Sequence, residues 1–125
     1  MNRLILKKKQ GTIIENMLVA LSRLKELGVS TWAVIHCPEV GMGLDENDNL
    51  VEVPSLKLPK GWIAGTVGAG DAFCPGVLYG AWKGMDLKAA IELATASAAC
   101  SLSAAGATEG MRPVAEVQKL YAEMR

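Results

Sequence analysis

The amino-acid sequence predicts an α/β fold, a partial three-layer α/β/α sandwich in which helices cover both faces of a small sheet. Three observations predict it: apolar residues at helical spacing, an apolar β-branched segment followed by a hairpin pattern, and a glycine-rich loop that leads into helices. With 125 residues, the chain is as long as one domain and can bury a hydrophobic core. We therefore expect residues 1–125 to form a single domain, with 1–12 as a candidate disordered tail.

The first predicted elements are a helix and a strand. Apolar residues recur at helical spacing over 13–27, and Gly28 follows them as a helix stop. The next segment, Thr31–His36, is β-branched, aromatic and almost uniformly apolar, as expected of a strand that is covered on both faces. We predict that this segment is a central strand and that the helix packs on its sheet.

A hairpin is predicted after this strand. Pro38–Gly41 has the composition of a turn, and residues 42–44 continue in an extended conformation. The polar loop 45–49 separates them from residues 50–53, whose alternation predicts the second strand of an antiparallel hairpin at a sheet edge.

The C-terminal half predicts helices at about 71–83, 86–105 and 114–124. Gly84 and Gly106 are the predicted stops of the first two, and Asp86 is a plausible N-cap. Pro75 lacks the N–H that a helix would use at that position, so we expect a late or distorted first turn in the first of these helices. The second is rich in alanine and serine, which favours tight packing of this helix on the sheet and also permits close approach of a ligand along 94–101.

Composition and charge exclude several classes of protein. The chain is 50% hydrophobic and 21% charged with a formal net charge of 0, which argues against disorder and against nucleic acid as a partner. The cysteines are odd in number and widely spaced, which argues against a disulfide framework or a zinc site and favours a reducing cytosol. We find no candidate membrane span and expect a soluble, cytoplasmic protein.

The segment Gly65–Phe73, with the sequence GTVGAGDAF, indicates phosphate binding beside an acid or base. Its glycines let backbone N–H groups converge on an anion, and the following helix dipole adds to the attraction. A Walker A loop would need Lys and Ser/Thr where Asp71 and Ala72 stand, and a dinucleotide fingerprint would need Gly or Ala at Phe73. A tight turn capped by Asp71 with no ligand remains the structural alternative.

This segment resembles the C-terminal motif Asp-Thr-x-Gly-Ala-Gly-Asp-Ala-Phe of the ribokinase-type (PfkB-type) carbohydrate kinases. The stretch 106–108, which follows the small-residue helix, also looks like the family's ending. The similarity runs from about Leu24 to the C-terminus and implies the nucleotide-binding C-terminal half of a ribokinase-like fold. It implies an anion hole formed by Gly68, Ala69 and Gly70, with Asp71 as the catalytic base.

The resemblance also implies ATP-dependent phosphoryl transfer to a hydroxyl of a sugar or nucleoside, with ATP and Mg²⁺ as cofactors. The family's second nucleotide motif, Thr-x-Gly-x-x-Gly, corresponds to residues 36–41 here, and only its last glycine is kept. The candidate nucleotide-binding residues are Thr66, His36, Gly41, Thr95, Ala104 and Gly106. We assign no metal ligand.

Two departures from the family leave a second hypothesis open. Gly65 replaces the motif's first Asp, a carboxylate associated with a monovalent cation site. The family's N-terminal half, with its sugar-binding residues and Asn-x-x-Glu motif, has no counterpart, so the acceptor cannot be assigned. The alternative function is a catalytically silent nucleotide-binding or assembly module, which would form a homodimer or dock with a missing N-terminal half through a sheet edge.

Overall fold

The computed structural model describes residues 3–106 and 108–125, with side chains from Ile13 onward. Its elements in chain order are α1 (Arg3–Glu26), β1 (Ala33–His36), β2 (Val40–Leu44), β3 (Leu50–Pro54), α2 (Ala69–Trp82), α3 (Leu87–Leu102) and α4 (Val114–Met124). Met1 and Asn2, which begin the predicted tail, and Ala107, which belongs to the 106–108 stretch, lie outside the described residues. No helix within the described ranges combines the length and the apolar character needed to cross a bilayer.

Helix α1 is longer at its N-terminus than the apolar repeat indicates. It begins at Arg3 and therefore includes residues 3–12, which the sequence analysis assigned to the tail. Its end agrees closely with the prediction, because Gly28 takes a left-handed φ of 112° and donates its N–H to the Lys25 carbonyl at 3.1 Å. Glycine reaches this conformation without a Cβ penalty, which is why it ends helices.

The strands form one antiparallel sheet in the order β1-β2-β3. Ala33 pairs with Leu44 across the β1–β2 hairpin, and the β2–β3 pairing confirms the predicted hairpin. The prediction that β1 is a central strand is wrong for the described residues, because β1 pairs only with β2. An apolar β-branched sequence indicates that helices cover the two faces of a strand, and it carries no information about whether both edges are paired.

Helices cover both faces of the sheet, which confirms the three-layer prediction. On one face Met17 and Leu21 of α1 pack against Met42 of β2. On the other face Ile91 of α3 packs against Val53 of β3. α4 packs on the outside of α3, where its buried Val117 and Leu120 join a cluster with Leu93.

Glycines in β2 bring α3 close to the sheet. A Cβ placed on Gly41 would lie 2.9 Å from Cγ2 of Ile91, and one placed on Gly43 would lie 3.0 Å from Cδ1 of the same residue. A real Cβ atom at either position would therefore displace the Ile91 side chain. The larger side chains of β2 alternate with these glycines and face α1. On its other face β2 is bare at Gly41, and its backbone there forms one wall of the candidate site.

The C-terminal helices differ from prediction at their ends. α2 begins at Ala69, so the expected late start is wrong. Pro75 lies in the second turn of α2, where it has no N–H to donate to the carbonyl four residues earlier. α3 ends at Leu102, before the predicted stop at Gly106, and Ser103 is its C-cap. Small residues of α3 pack against α2 as well as against the sheet, since a Cβ on Gly76 would lie 2.6 Å from Cα of Ala94.

Asp86 is the N-cap of α3, as predicted. Its carboxylate accepts a hydrogen bond from the backbone N–H of Ala89 at 2.8 Å. We expect Asp86→Ala to lower the free energy of unfolding by about 0.5–2 kcal/mol, because one helix N–H loses its acceptor. Asp86→Asn keeps an acceptor at the same position and is the matched control. Urea unfolding measures both, and equal midpoints for Asp86→Ala and the parent chain would contradict the capping role.

Candidate functional site

The N-terminus of α2 presents unused hydrogen-bond donors. Gly68 precedes the helix in a left-handed conformation, with φ 83° and ψ 1°, and no side chain of the described residues caps the helix. The first helical bond runs from the N–H of Ala72 to the Gly68 carbonyl at 2.8 Å. Within the described residues, the backbone N–H groups of Ala69, Gly70 and Asp71 have no backbone acceptor. These donors lie at the positive end of the helix dipole and can bind an anion.

A cleft of about 610 Å³ opens beside these donors. This volume is within the range of small-ligand sites. Most of the residues predicted to bind nucleotide or phosphate line it, namely His36, Gly41, Thr66, Ala69, Gly70 and Thr95. Ala98 and Ala99 also line it, within the stretch 94–101 of the small-residue helix that was expected to contact the nucleotide, whereas the sequence analysis missed the apolar residues Leu56, Leu58, Ile63, Phe73 and Leu102. Leu56, Leu58 and Ile63 come from the connection between β3 and α2, Phe73 comes from α2, and Leu102 comes from the end of α3.

The remaining predicted residues lie around the cleft without lining it. Asp71 is exposed in the first turn of α2 and makes no ion pair or side-chain hydrogen bond with the described residues. Gly68 is the residue that turns the chain into α2. Ala104 lies beside the start of the glycine loop, since its carbonyl oxygen would be 3.3 Å from a Cβ on Gly65. Gly106 lies against the carboxylate of Glu109.

The glycine loop is fixed to the end of α3 by hydrogen bonds that the sequence did not predict. The Ala64 N–H donates to the Leu102 carbonyl at 2.8 Å, and the Trp62 indole donates to the Ala99 carbonyl at 2.8 Å. A Cβ on Gly65 would lie 3.0 Å from both Cα and the carbonyl oxygen of Ala105. Glycine therefore fits where the family motif has Asp, because the backbone of the α3 end occupies the space that a side chain would need.

His36 lies at the end of β1 and faces the first turn of α2. Its ring stacks on Phe73 with the centroids 4.2 Å apart and the planes 20° from parallel. Its Cε1 and Nε2 atoms lie 3.6 and 3.7 Å from the position that a Cβ on Gly70 would take. Partial burial lowers the pKa of the His36 imidazole below its usual value, because a buried site disfavours the charged ring. A neutral imidazole is thus available beside the free N–H groups.

Thr95 is less available than the sequence suggested. Its hydroxyl donates to the Ile91 carbonyl at 2.8 Å inside α3. The oxygen can still accept a hydrogen bond, so Thr95 is restricted to contacts with a donor group of a ligand. Its neighbours along the same side of the helix are Ala98 and Ala99, which also line the cleft. This wall suits a flat, apolar group with hydrogen-bond donors at its edge.

Comparison with known proteins identifies the family. The model of the pfkB family of carbohydrate kinases matches residues 3–114. The chain belongs to this family. This result confirms the resemblance inferred from the glycine-rich motif. A curated relative, 5-dehydro-2-deoxygluconokinase of Bacillus licheniformis, is 36% identical over 71 residues, which are 57% of this pfkB-family chain and 22% of that enzyme.

Solved structures confirm the ribokinase-like fold. The ribokinase of Arabidopsis thaliana complexed with ribose and ATP superposes with a TM-score of 0.73 and 20% identity, over 86% of this chain and 34% of that one. Ribokinase from Thermotoga maritima superposes with a TM-score of 0.69 and 23% identity, over 82% of this chain and 33% of that one. Phosphofructokinase-2 from Escherichia coli in complex with potassium superposes with a TM-score of 0.70 and 20% identity, over 87% of this chain and 34% of that one. The pfkB-family chain therefore spans about a third of the length of these structures.

Proposed function

We propose that this pfkB-family chain forms the phosphate-binding half of a kinase site that transfers a phosphoryl group from ATP to a hydroxyl of a sugar or nucleoside. One observation carries the proposal: the N–H groups of Ala69, Gly70 and Asp71 are free of backbone acceptors among the described residues and lie beside a cleft of ligand size. A family whose members phosphorylate carbohydrates gives these donors a natural partner, the phosphate groups of a nucleotide.

The proposed roles follow from what phosphoryl transfer requires. The reaction needs in-line positioning and neutralisation of charge on the moving group more than covalent help from the protein. Gly68, Ala69 and Gly70 would form the anion hole, with Gly68 setting the turn and the N–H groups binding phosphate oxygens. Asp71 would accept the proton of the attacking hydroxyl, since its exposed carboxylate has no competing partner among the described residues.

The cleft fits the cofactor in size and chemistry. The triphosphate of ATP would lie at the α2 N-terminus, and the adenine would lie against Thr95, Ala98 and Ala99 of α3. Among the described residues no cluster of His, Cys, Asp or Glu is suited to hold a metal by itself. Mg²⁺ would therefore enter with the nucleotide phosphates, as it commonly does, and would neutralise part of their charge. A ribokinase-type structure from Escherichia coli holds ATP and Mg²⁺.

Isothermal titration of the chain with ATP, ADP and adenosine tests the proposal. Because the site is built around phosphate donors, affinity should fall in the order ATP, ADP, adenosine and should decrease as the salt concentration rises. Equal affinities for ATP and adenosine would contradict a phosphate site, even if the cleft bound both.

Asp71→Asn tests the proposed base. We expect phosphoryl transfer from ATP to fall by ~10²- to 10⁴-fold, because the amide cannot accept the hydroxyl proton. ATP affinity should stay the same or increase, since a negative charge next to the phosphates is removed. Transfer from radiolabelled ATP to a panel of sugars and nucleosides measures the rate, and titration measures the affinity. A measurable parent rate that Asp71→Asn leaves unchanged would exclude Asp71 as the base.

An assembly module is the second candidate function, and the position of β1 favours it. In the described residues β1 is an edge strand, so the N–H and C=O groups on its outer side have no strand to pair with. A second copy or a complementary half could add a strand there. Light scattering over a range of protein concentrations tests this function, and a monomer at every concentration would exclude the homodimer. Phosphoryl transfer by the chain alone would exclude a silent module.

We also propose a cytoplasmic location. Cys37, Cys74 and Cys100 are free thiols in the structure. Free thiols are typical of reducing compartments, where disulfides rarely persist. A cytoplasm also supplies the ATP that the proposed reaction consumes.

A further inference from the structure

We infer that His36 is the proton-linked group of the phosphate site, so that a phosphate bound at the N-terminus of α2 draws a proton from solvent onto the His36 imidazole. This inference rests on the proposed function, because it needs a phosphate at that helix end. It adds a form of regulation: affinity for phosphate-bearing ligands should rise as the pH falls. The family's second nucleotide motif has Thr at this position, so the effect belongs to the histidine of this chain.

The geometry brings the imidazole to the phosphate donors. The Cε1 and Nε2 atoms of His36 face Gly70, at 3.6 and 3.7 Å from an ideal Cβ position on that residue. Stacking on Phe73 fixes the plane of the ring, with the centroids 4.2 Å apart. Both His36 and Gly70 line the cleft. A phosphate that accepts hydrogen bonds from the first turn of α2 would therefore lie within reach of the imidazole edge.

The surroundings of His36 favour a neutral ring until an anion arrives. Although His36 is exposed overall, its neighbours partly desolvate the ring and hold its pKa below the usual value of 6.5. The titratable groups on the first two turns of α2 are Asp71 and Cys74, the turn after β1 carries Cys37 and Glu39, and β2 has none. None of these groups is a cause of the lowered pKa, which comes from desolvation. A phosphate within about 4–6 Å favours the charged ring, so its binding must raise the pKa of His36.

The chain contains a single histidine, which makes a direct test possible. The proton NMR signal of the imidazole Cε1–H, followed from pH 5 to 8, reports the pKa of His36 alone. We expect saturating ATP to raise it by about one pH unit, equivalent to about tenfold tighter binding to the protonated form. An unchanged titration curve at saturating ATP would overturn the inference and leave the proposed function standing.

His36→Gln provides the matched variant, because glutamine keeps a polar side chain that does not titrate. ATP itself ionises in this pH range. Because both proteins bind the same ligand, the ionisation of ATP contributes equally to the two affinities and cancels when they are compared at each pH. The ratio of wild-type to His36→Gln affinity should increase several-fold from pH 8 to pH 6. Titration with ATP in buffers of different ionisation heat measures the protons taken up on binding. The wild type should take up protons, and the variant should take up fewer. A constant ratio would overturn the inference, whereas absence of ATP binding in both proteins would overturn the proposed function with it.

Discussion

Gly70→Val should weaken ATP binding by about 10- to 100-fold while leaving the fold intact. Hydrogen bonds to charged groups contribute about 1.5–3 kcal/mol each, and a branched side chain in the first turn of α2 would cover the donors that make them. The Gly70 Cβ position already lies 3.6 Å from the His36 ring. The γ-methyl groups of valine would therefore extend into the space where the phosphate is expected. Isothermal titration with ATP measures the loss.

Gly70→Ala is the matched control for this experiment. Its Cβ would make only ordinary van der Waals contact with His36, and alanine is a better helix former than glycine. We expect a fold at least as stable as that of the parent chain and a much smaller loss of ATP affinity than with valine. If valine, alanine and glycine at position 70 give the same affinity, with circular dichroism spectra that agree, phosphate does not bind at this helix end.

The architecture could be predicted from the sequence because its signals are local. The apolar repeat before Gly28, the hairpin and the N-cap Asp86 each depend on a few neighbouring residues, and the structure has all of them. The pairing of β1 depends on which strands are present elsewhere, which a local pattern does not contain. The start of α2 was predicted too late because Gly68, in a left-handed conformation, sets where the helix begins. The backbone hydrogen bond that Pro75 cannot make falls a full turn after this start.

The candidate site was predictable where one motif supplies it. The loop from Gly65 to Gly70 follows from glycine spacing, and among the described residues the N–H groups of Ala69, Gly70 and Asp71 have no backbone acceptor. The stacking of His36 on Phe73 was not predictable, since the two residues are far apart in sequence and meet only in the folded chain. The apolar lining from α3 also depends on packing, because alanines that line a cleft look the same in sequence as alanines that pack on a helix.

The packing of α2 against α3 leads to the second large effect, which we expect from Gly76→Ala. A Cβ on Gly76 would lie 2.6 Å from Cα and 3.1 Å from the backbone nitrogen of Ala94. Backbone cannot rotate away as a side chain can, so the two helices must separate. Overpacking of this kind costs about 1–3 kcal/mol, which outweighs the gain of up to about 1 kcal/mol that alanine brings to a helix. Urea unfolding should show the lower midpoint.

Gly70→Ala is again the informative comparison, since it makes the same substitution in the same helix where the nearest atom is 3.6 Å away. Stability should fall in Gly76→Ala and stay level or rise in Gly70→Ala; a Gly76→Ala chain as stable as the parent would contradict the close approach of α2 and α3. Because α2 carries the phosphate donors at its N-terminus, displacing it should also weaken ATP binding. Stability and affinity should therefore fall together in Gly76→Ala, whereas Gly70→Val should lower the affinity alone.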